Sequence, residues 1–415
     1  MSTSVEFITT TKGRPLMILD GFSYIQDRRT DTKTYWRCEN HKTFNCYFRI
    51  HTYIADRAKN TQETTDTVLI QCISKLPGST RIRLPPLDHV KRTILRHREK
   101  IDLPQVPNDV DFPTIPGVLQ LTKRNDTFLR IDTGSGPDRI LIFSSSEQLE
   151  ILQTSTNFLM DGTFEIVPEI FYQLYVIHAV HREHVMPVAF CLLRRKTMTT
   201  YQEMINKILE FAPAWNPQNI MLDFEKAVLN VLSNSFPHVS LSGCYFHLRQ
   251  SIHRQLQTQG LQKQYEENVD FAHGIHKIAA LAFIHSDNII NAFTDLSVHL
   301  DDTFQIMLDY FEDNYIGRFR ANGSRTRPLF PIEYWNVYER TKNQQMRTNN
   351  SAEAWNRRIK EDSNIHTKIV RANAGEPVNK KKKYQYLDQR LFNLVSNPHQ
   401  NIIDQINAIT HNIIL

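Results

Sequence analysis

Apolar and polar positions alternate in different ways along the chain. Tyr35-Trp36-Arg37-Cys38, Tyr47-Phe48-Arg49-Ile50 and Thr67-Val68-Leu69-Ile70-Gln71 are short, β-prone runs that predict strands in a small β-rich front domain. Pro85, Pro86, Pro104, Pro107, Pro113 and Pro116 then follow one another, and neither a long helix nor a central strand runs through such a series. Past residue 150, Phe158-Leu159-Met160, Phe171 to Ala179 and Val185 to Leu193 predict three strands. Tyr201, Ile205, Ile208 and Phe211 share one face of a helix over 199–211. Asn219 to Leu222 predicts a fourth strand, Lys226 to Leu232 a helix, and about 239–245 a fifth strand. Beyond Phe246 the spacing is helical to about residue 345, with Leu248, Ile252 and Leu256 four apart and Gly260 placed to stop that helix. Three strands followed by helix, strand, helix and strand describe an α/β (α+β) mixed sheet flanked by helices.

Length and composition narrow the picture. The 415 residues suggest two or three domains, and no run reaches the roughly 18 apolar residues of a membrane span. The first residues lack a secretory pattern, and 5 cysteines make no disulfide framework, so a reducing interior is expected. The net charge of +5 is unevenly spread: residues 1–110 carry 18 Lys and Arg against 12 Asp and Glu, the remainder 31 against 32. A basic front on a neutral body fits either a polyanion-binding module or a solvated basic face.

Two carboxylates change the reading. Taken singly, Asp161 in Asp161-Gly162-Thr163-Phe164 reads as a hairpin turn, and Asp223 in Leu222-Asp223-Phe224-Glu225 as a helix cap. Taken together, they sit at the ends of a first and a fourth strand, which lie side by side if the second and third pair outward as hairpins. Acids so placed suit a hard divalent cation and the phosphodiester chemistry that two such ions support. Glu353, in Asn349-Asn350-Ser351-Ala352-Glu353, is the candidate third acid, in the first turn of a helix capped by Asn350 or Ser351.

Asp161-Gly162-Thr163-Phe164, Gln173-Leu174-Tyr175, Asp223-Phe224-Glu225, Gly243-Cys244-Tyr245-Phe246-His247 and Asn349 to Glu353 occur in this order. Over roughly residues 140–410 the chain resembles Mutator-like element (MULE) transposases. The resemblance implies an RNase H-like fold with a helical insertion, and a DDE triad of Asp161, Asp223 and Glu353 binding Mg²⁺ or Mn²⁺. It implies DNA cleavage and strand transfer at transposon ends, work in the nucleus, homo-oligomers acting on element ends and target DNA, and no membrane partner. Cys244 and His247 match the family's Cys-x-x-His motif, for which two ligands are too few to hold zinc alone. His253 and Arg254 follow on the next helix, where they face either phosphate or solvent. The alternative function is a domesticated, DNA-binding regulatory descendant without transposition activity.

Residues 12–51 resemble a FLYWCH zinc finger, whose zinc is held by two cysteines and a His-x-His pair. Cys38, Cys46 and His89 match three of those positions, Leu87 stands at the fourth, and His41 or His51 could substitute. The expectation is therefore a weak Zn²⁺ site or a zinc-free β module. Arg28, Arg29, Lys33, Arg37, Lys42 and Arg49 keep the module basic and suited to phosphate contacts. The expected organisation is a FLYWCH-like DNA-binding module at 1–100 and a proline-containing connection at 101–148. A catalytic domain at 149–375 follows, with its insertion at about 255–345, and then a helical segment at 376–415. The run Lys380 to Lys383 reads either as a nuclear address or as a solvated loop.

Overall fold

Four strands of the front unit, residues 1–105, form an antiparallel meander: β1 (Val5–Thr9), β2 (Pro15–Leu19), β3 (Phe22–Arg29) and β4 (Thr34–Cys38). Leu19 pairs with Phe22 at the closed end of the β2–β3 ladder. Tyr24 is buried, and the ladder between β3 and β4 shifts register between Gln26 and Arg28. The computed structural model describes residues 5–9, 15–19, 22–29 and 34–38, the single positions 67, 69, 91 and 109, and 111–413 except 165–166, 359–364 and 379–381. Tyr47 to Ile50 lies outside them. Thr67 and Leu69 have helical backbone, so the strand expected over 67–71 is corrected there: β-branched content was the only local cue, and it is a weak one.

The second unit begins at Val106. Its first elements are α1 (Gly117–Gln120), β5 (Leu129–Asp132), β6 (Ile140–Phe143) and α2 (Ser146–Thr154). The first three fall within the stretch at 101–148 expected as a proline-containing connection, and α2 begins there, which is a correction: β5 and β6 are strands of the main sheet. Arg139, 1% exposed, ties this edge together through Asp132 (Nε to Oδ1, 2.8 Å) and the ring of Phe112 (3.9 Å to its centroid). A capping box of Ser145 and Gln148 starts α2.

The sheet continues with β7 (Asn157–Thr163), β8 (Gln173–His181), β9 (His184–Leu193), α3 (Met198–Phe211), β10 (Asn219–Leu222), α4 (Lys226–Ser235) and β11 (Ser240–Gly243). The strand order is β11-β10-β7-β8-β9-β6-β5. β7, β10 and β11 run parallel to one another, while β8, β9, β6 and β5 are joined by antiparallel ladders. The first and fourth expected strands thus lie side by side, because the two hairpin partners fold away on the other edge. Tyr201, Met204, Ile205 and Ile208 of α3 are fully buried in the same cluster as Met160, Tyr175 and Ile177. Alternate residues Leu174 and Val176 point to the opposite face, where they meet Trp355.

Helices then take over: α5 (Tyr245–Thr258), α6 (Gln262–Glu267), α7 (Val269–Ala280), α8 (Ile289–His299), α9 (Gln305–Phe311), α10 (Ile332–Trp335) and α11 (Tyr338–Lys342). Gly260, at φ +71°, follows α5 as the sequence predicted. The chain ends in α12 (Asn350–Arg358), α13 (Ile365–Asn373), α14 (Lys382–Ser396) and α15 (Ile402–Thr410). No helix among the described residues is long and apolar enough to cross a membrane.

Candidate active site

Asp161 lies inside β7 rather than beyond its end, paired with Val176 of β8. Gly162 and Thr163 continue the strand, so the Asp-Gly step is no hairpin turn. The neighbouring strand decides this: Gly162 lies opposite Tyr175, and a Cβ on it would stand 3.0 Å from Gln173 Oε1. Asp223 follows β10 directly, and β10 runs parallel to β7 with Met221 opposite Leu159. Both acids therefore stand toward the carboxyl ends of adjacent parallel strands, where α/β sheets place ligands.

Glu353 sits in the first turn of α12, with its N–H donating to the Asn349 carbonyl at 3.0 Å. The helix already includes Asn350 and Ser351, so neither stands before it as the cap that the sequence suggested. Asn356, one turn on, donates from Nδ2 to Asp161 Oδ2 at 2.8 Å and so joins the helix to the sheet. His247 Nε2 stands 3.4 Å from Glu353 Oε1. The Asp223 carboxylate accepts from the N–H of Phe224, and the Asp223 carbonyl accepts from Tyr334 Oη at 2.6 Å.

Cys244 is fully buried. Its Sγ lies 3.1 Å from Asn349 Oδ1 and 3.3 Å from the Asn349 N–H that donates to it. Burial pushes its thiol up to about 12. The Cys-x-x-His motif therefore works as two separate contacts on one segment: Cys244 ties down the residue before α12, and His247 meets its glutamate. Gly243 leaves room that a side chain would not, since a Cβ would come within 2.7 Å of the Phe224 ring and 2.9 Å of Tyr334 and one of them would have to shift.

Burial is the largest influence on Asp161 and raises its carboxyl to about 6. Glu353 and Asp223 push the same way, while His247 and Asn356 partly oppose them. The three acids thus share one electrostatic neighbourhood. Around it, His247 Nδ1 and Asn356 Oδ1 are buried without a hydrogen-bond partner. Among the described residues no three His, Cys, Asp or Glu side chains are drawn together closely enough to hold a metal ion. Three carboxylates with Asp161 held at a raised pKa, beside orphaned polar atoms, nevertheless fit a hard divalent cation in donor chemistry.

The other expected site residues fare differently. Arg254 is exposed on α5, whereas His253 packs edge-on against Tyr265 at 5.6 Å. Arg28 and Arg29 pair with Tyr35 and Thr34, Arg37 is partly buried in β4, and Cys38 ends that strand. Lys33, Lys42, Cys46, Arg49 and His89 lie outside the described residues, as do Lys380 and Lys381. Sequence reasoning missed Asn349, Asn356 and Tyr334. Asn349 stood in the motif that ends at Glu353 without a role assigned to it, and Asn356 lies three residues from Glu353 and so on the same helix face.

A search of curated proteins returns no match. Residues 7–65 match the model of the FLYWCH zinc finger domain, which takes in Cys38 and Cys46 and stops before His89. Residues 158–251 match that of the MULE transposase domain, which takes in Asp161, Asp223, Cys244 and His247. The chain accordingly carries a MULE transposase domain behind a FLYWCH zinc finger domain.

Proposed function

We propose that this protein is a DDE-type DNA transposase that cuts DNA at transposon ends and joins the freed 3′-hydroxyl to target DNA. The observation that carries the reading is the meeting of Asp161 and Asp223, on adjacent parallel strands, with the α12 helix of Glu353, joined by the Asn356–Asp161 hydrogen bond. Asp161, Asp223 and Glu353 are the residues that would hold Mg²⁺ or Mn²⁺. Such ions supply an activated nucleophile and charge stabilisation at the leaving oxygen. The chain's own share is positioning: Asn356 fixes Asp161 Oδ2, the Phe224 N–H fixes the Asp223 carboxylate, and His247 meets Glu353.

In this reading the front module grips DNA phosphates through its Lys and Arg, and holds zinc only weakly, because Cys38, Cys46 and His89 leave the fourth ligand position to Leu87. The protein acts in the nucleus as a homo-oligomer. Purified full-length protein should nick supercoiled plasmid in Mn²⁺ or Mg²⁺ and not in chelator. Asp161→Asn, Asp223→Asn and Glu353→Gln should each bring nicking to background while the fold is kept, and activity surviving in any one removes that residue from the triad. DNA affinity should fall log-linearly with salt, by roughly 0.9 log units per decade for each phosphate neutralised. Salt-insensitive binding would point away from a phosphate-gripping module.

A further inference from the structure

Beside the acids stands a pair of aromatic rings in water. Phe164 directly follows β7 and is 51% exposed, and Tyr172 directly precedes β8 and is 54% exposed. Their rings meet edge to face at 76°, with centroids 5.5 Å apart. Tyr172 is held by its N–H, which donates to the Leu193 carbonyl at 2.8 Å. Lys196 stands over Phe164, its Nζ 5.7 Å from the ring centroid, and also lies 3.0 Å from Glu225 Oε2. Phe164 is three residues beyond Asp161, about 10 Å along an extended strand. Glu225 is two residues beyond Asp223. The rings therefore lie at the same end of the sheet as both strand-borne acids. Phe319, also exposed, differs in that the Arg325 guanidinium already lies 3.9 Å from its ring centroid.

We propose that Phe164 and Tyr172 form a stacking platform for an unpaired nucleobase next to the phosphate engaged by the acids, with Lys196 as its cationic edge. The proposal rests on the DNA-cleaving reading above and deepens it. Two rings and one ammonium are far smaller than a protein interface, which takes about 800 Å² from each partner. They match one base and its backbone charge, because every base offers a π-face and stacking tolerates any sequence. In a paired and stacked duplex that face is covered, so the platform selects DNA that is frayed or unpaired beside the cut.

The test uses the full chain in chelator, where no cleavage competes, and two probes: a blunt duplex, and the same duplex with an unpaired thymidine overhang. The wild type should bind the overhang probe more tightly. Phe164→Ala/Tyr172→Ala should lose about five- to 150-fold in overhang affinity and leave the blunt duplex unchanged, while Phe164→Trp should keep the preference. Both positions are exposed, so an unchanged melting temperature is expected and verifies the fold. A wild type without overhang preference, or a double variant that retains it, overturns the platform. Nicking by the wild type in Mn²⁺ is read separately. Absent nicking with an intact, ring-dependent preference sinks the cleavage reading and leaves the platform standing; nicking without a ring-dependent preference sinks the platform alone.

Discussion

Asp161 and Asp223 are held by main chain, and Glu353 by side chains. β7 has a ladder on each flank and β10 lies between β7 and β11, so the backbone on which the two aspartates sit is fixed by many interchangeable hydrogen bonds. Glu353 arrives 130 residues after Asp223 on a nine-residue helix. That helix is tied in by Asn349 to Cys244, Glu353 to His247 and Asn356 to Asp161, and by Trp355 packing on Val176 and Phe190. A ladder spreads strain over many bonds, whereas a tether concentrates it in one. The helix-borne acid is therefore the part of the site most easily displaced without unfolding the protein.

Three measurements bear on this contrast. The largest expected effect is on the sheet side. Asp161 has its folded-state pKa raised to about 6 from an ordinary 3.8, so its ionisation penalises the metal-free fold. The sign follows: the penalty is absent below about pH 4, grows between the two values, and is complete above about pH 6, where it costs about 3 kcal/mol. Asp161→Asn should then raise the melting temperature in chelator at pH 8, with the gain fading toward pH 4. Added Mn²⁺ should raise the wild type's melting temperature but not the variant's to the same extent. A gain that does not depend on pH would break the assignment of the strain to this carboxylate.

Next comes Gly243→Ala, whose methyl would press on the Phe224 and Tyr334 rings. Overpacking of that kind costs about 1–3 kcal/mol. Because Tyr334 Oη donates to the Asp223 carbonyl, nicking should fall with stability. A destabilised protein with full nicking would show that Asp223 is fixed by its strand alone.

The smallest effect on stability is expected for the tether. Cys244→Ala should cost about 1 kcal/mol for the lost hydrogen bonds plus the small cavity, yet reduce nicking by up to about 100-fold, roughly what a 1 Å misplacement of a positioned group does. Cys244→Ser keeps a donor and an acceptor at the same place and should recover part of the rate. Equal loss in the alanine and serine variants would mean that thiol volume, not hydrogen bonding, holds α12.

Patterns of period two and 3.6 made much of the body legible. Asn219 to Leu222 is a strand with those same ends, and the helix over 199–211 begins one residue earlier, at Met198. Such runs are local, and local apolar spacing is what burial against a sheet selects. Residues 129–143 were not legible, because the prolines before them outweighed two four-residue strands whose meaning comes from distant pairing, β6 with β9 and β5 with β6. Helical backbone at Thr67 and Leu69 was likewise hidden behind β-prone residue types.

The sequence by itself determined the order of the candidate acids, the places of Asp161 and Asp223 after apolar runs and that of Glu353 near a helix start, since these depend only on residues near one another in the chain. It also placed the Cys-x-x-His motif after the last strand, with no means of assigning it a partner. Only the tertiary structure decided that Cys244 meets Asn349 across 105 positions, that Asn356 reaches Asp161 across 195, and that Asp161 is buried. Those contacts depend on where a sheet edge and a late helix come to rest, and packing, not periodicity, fixes that.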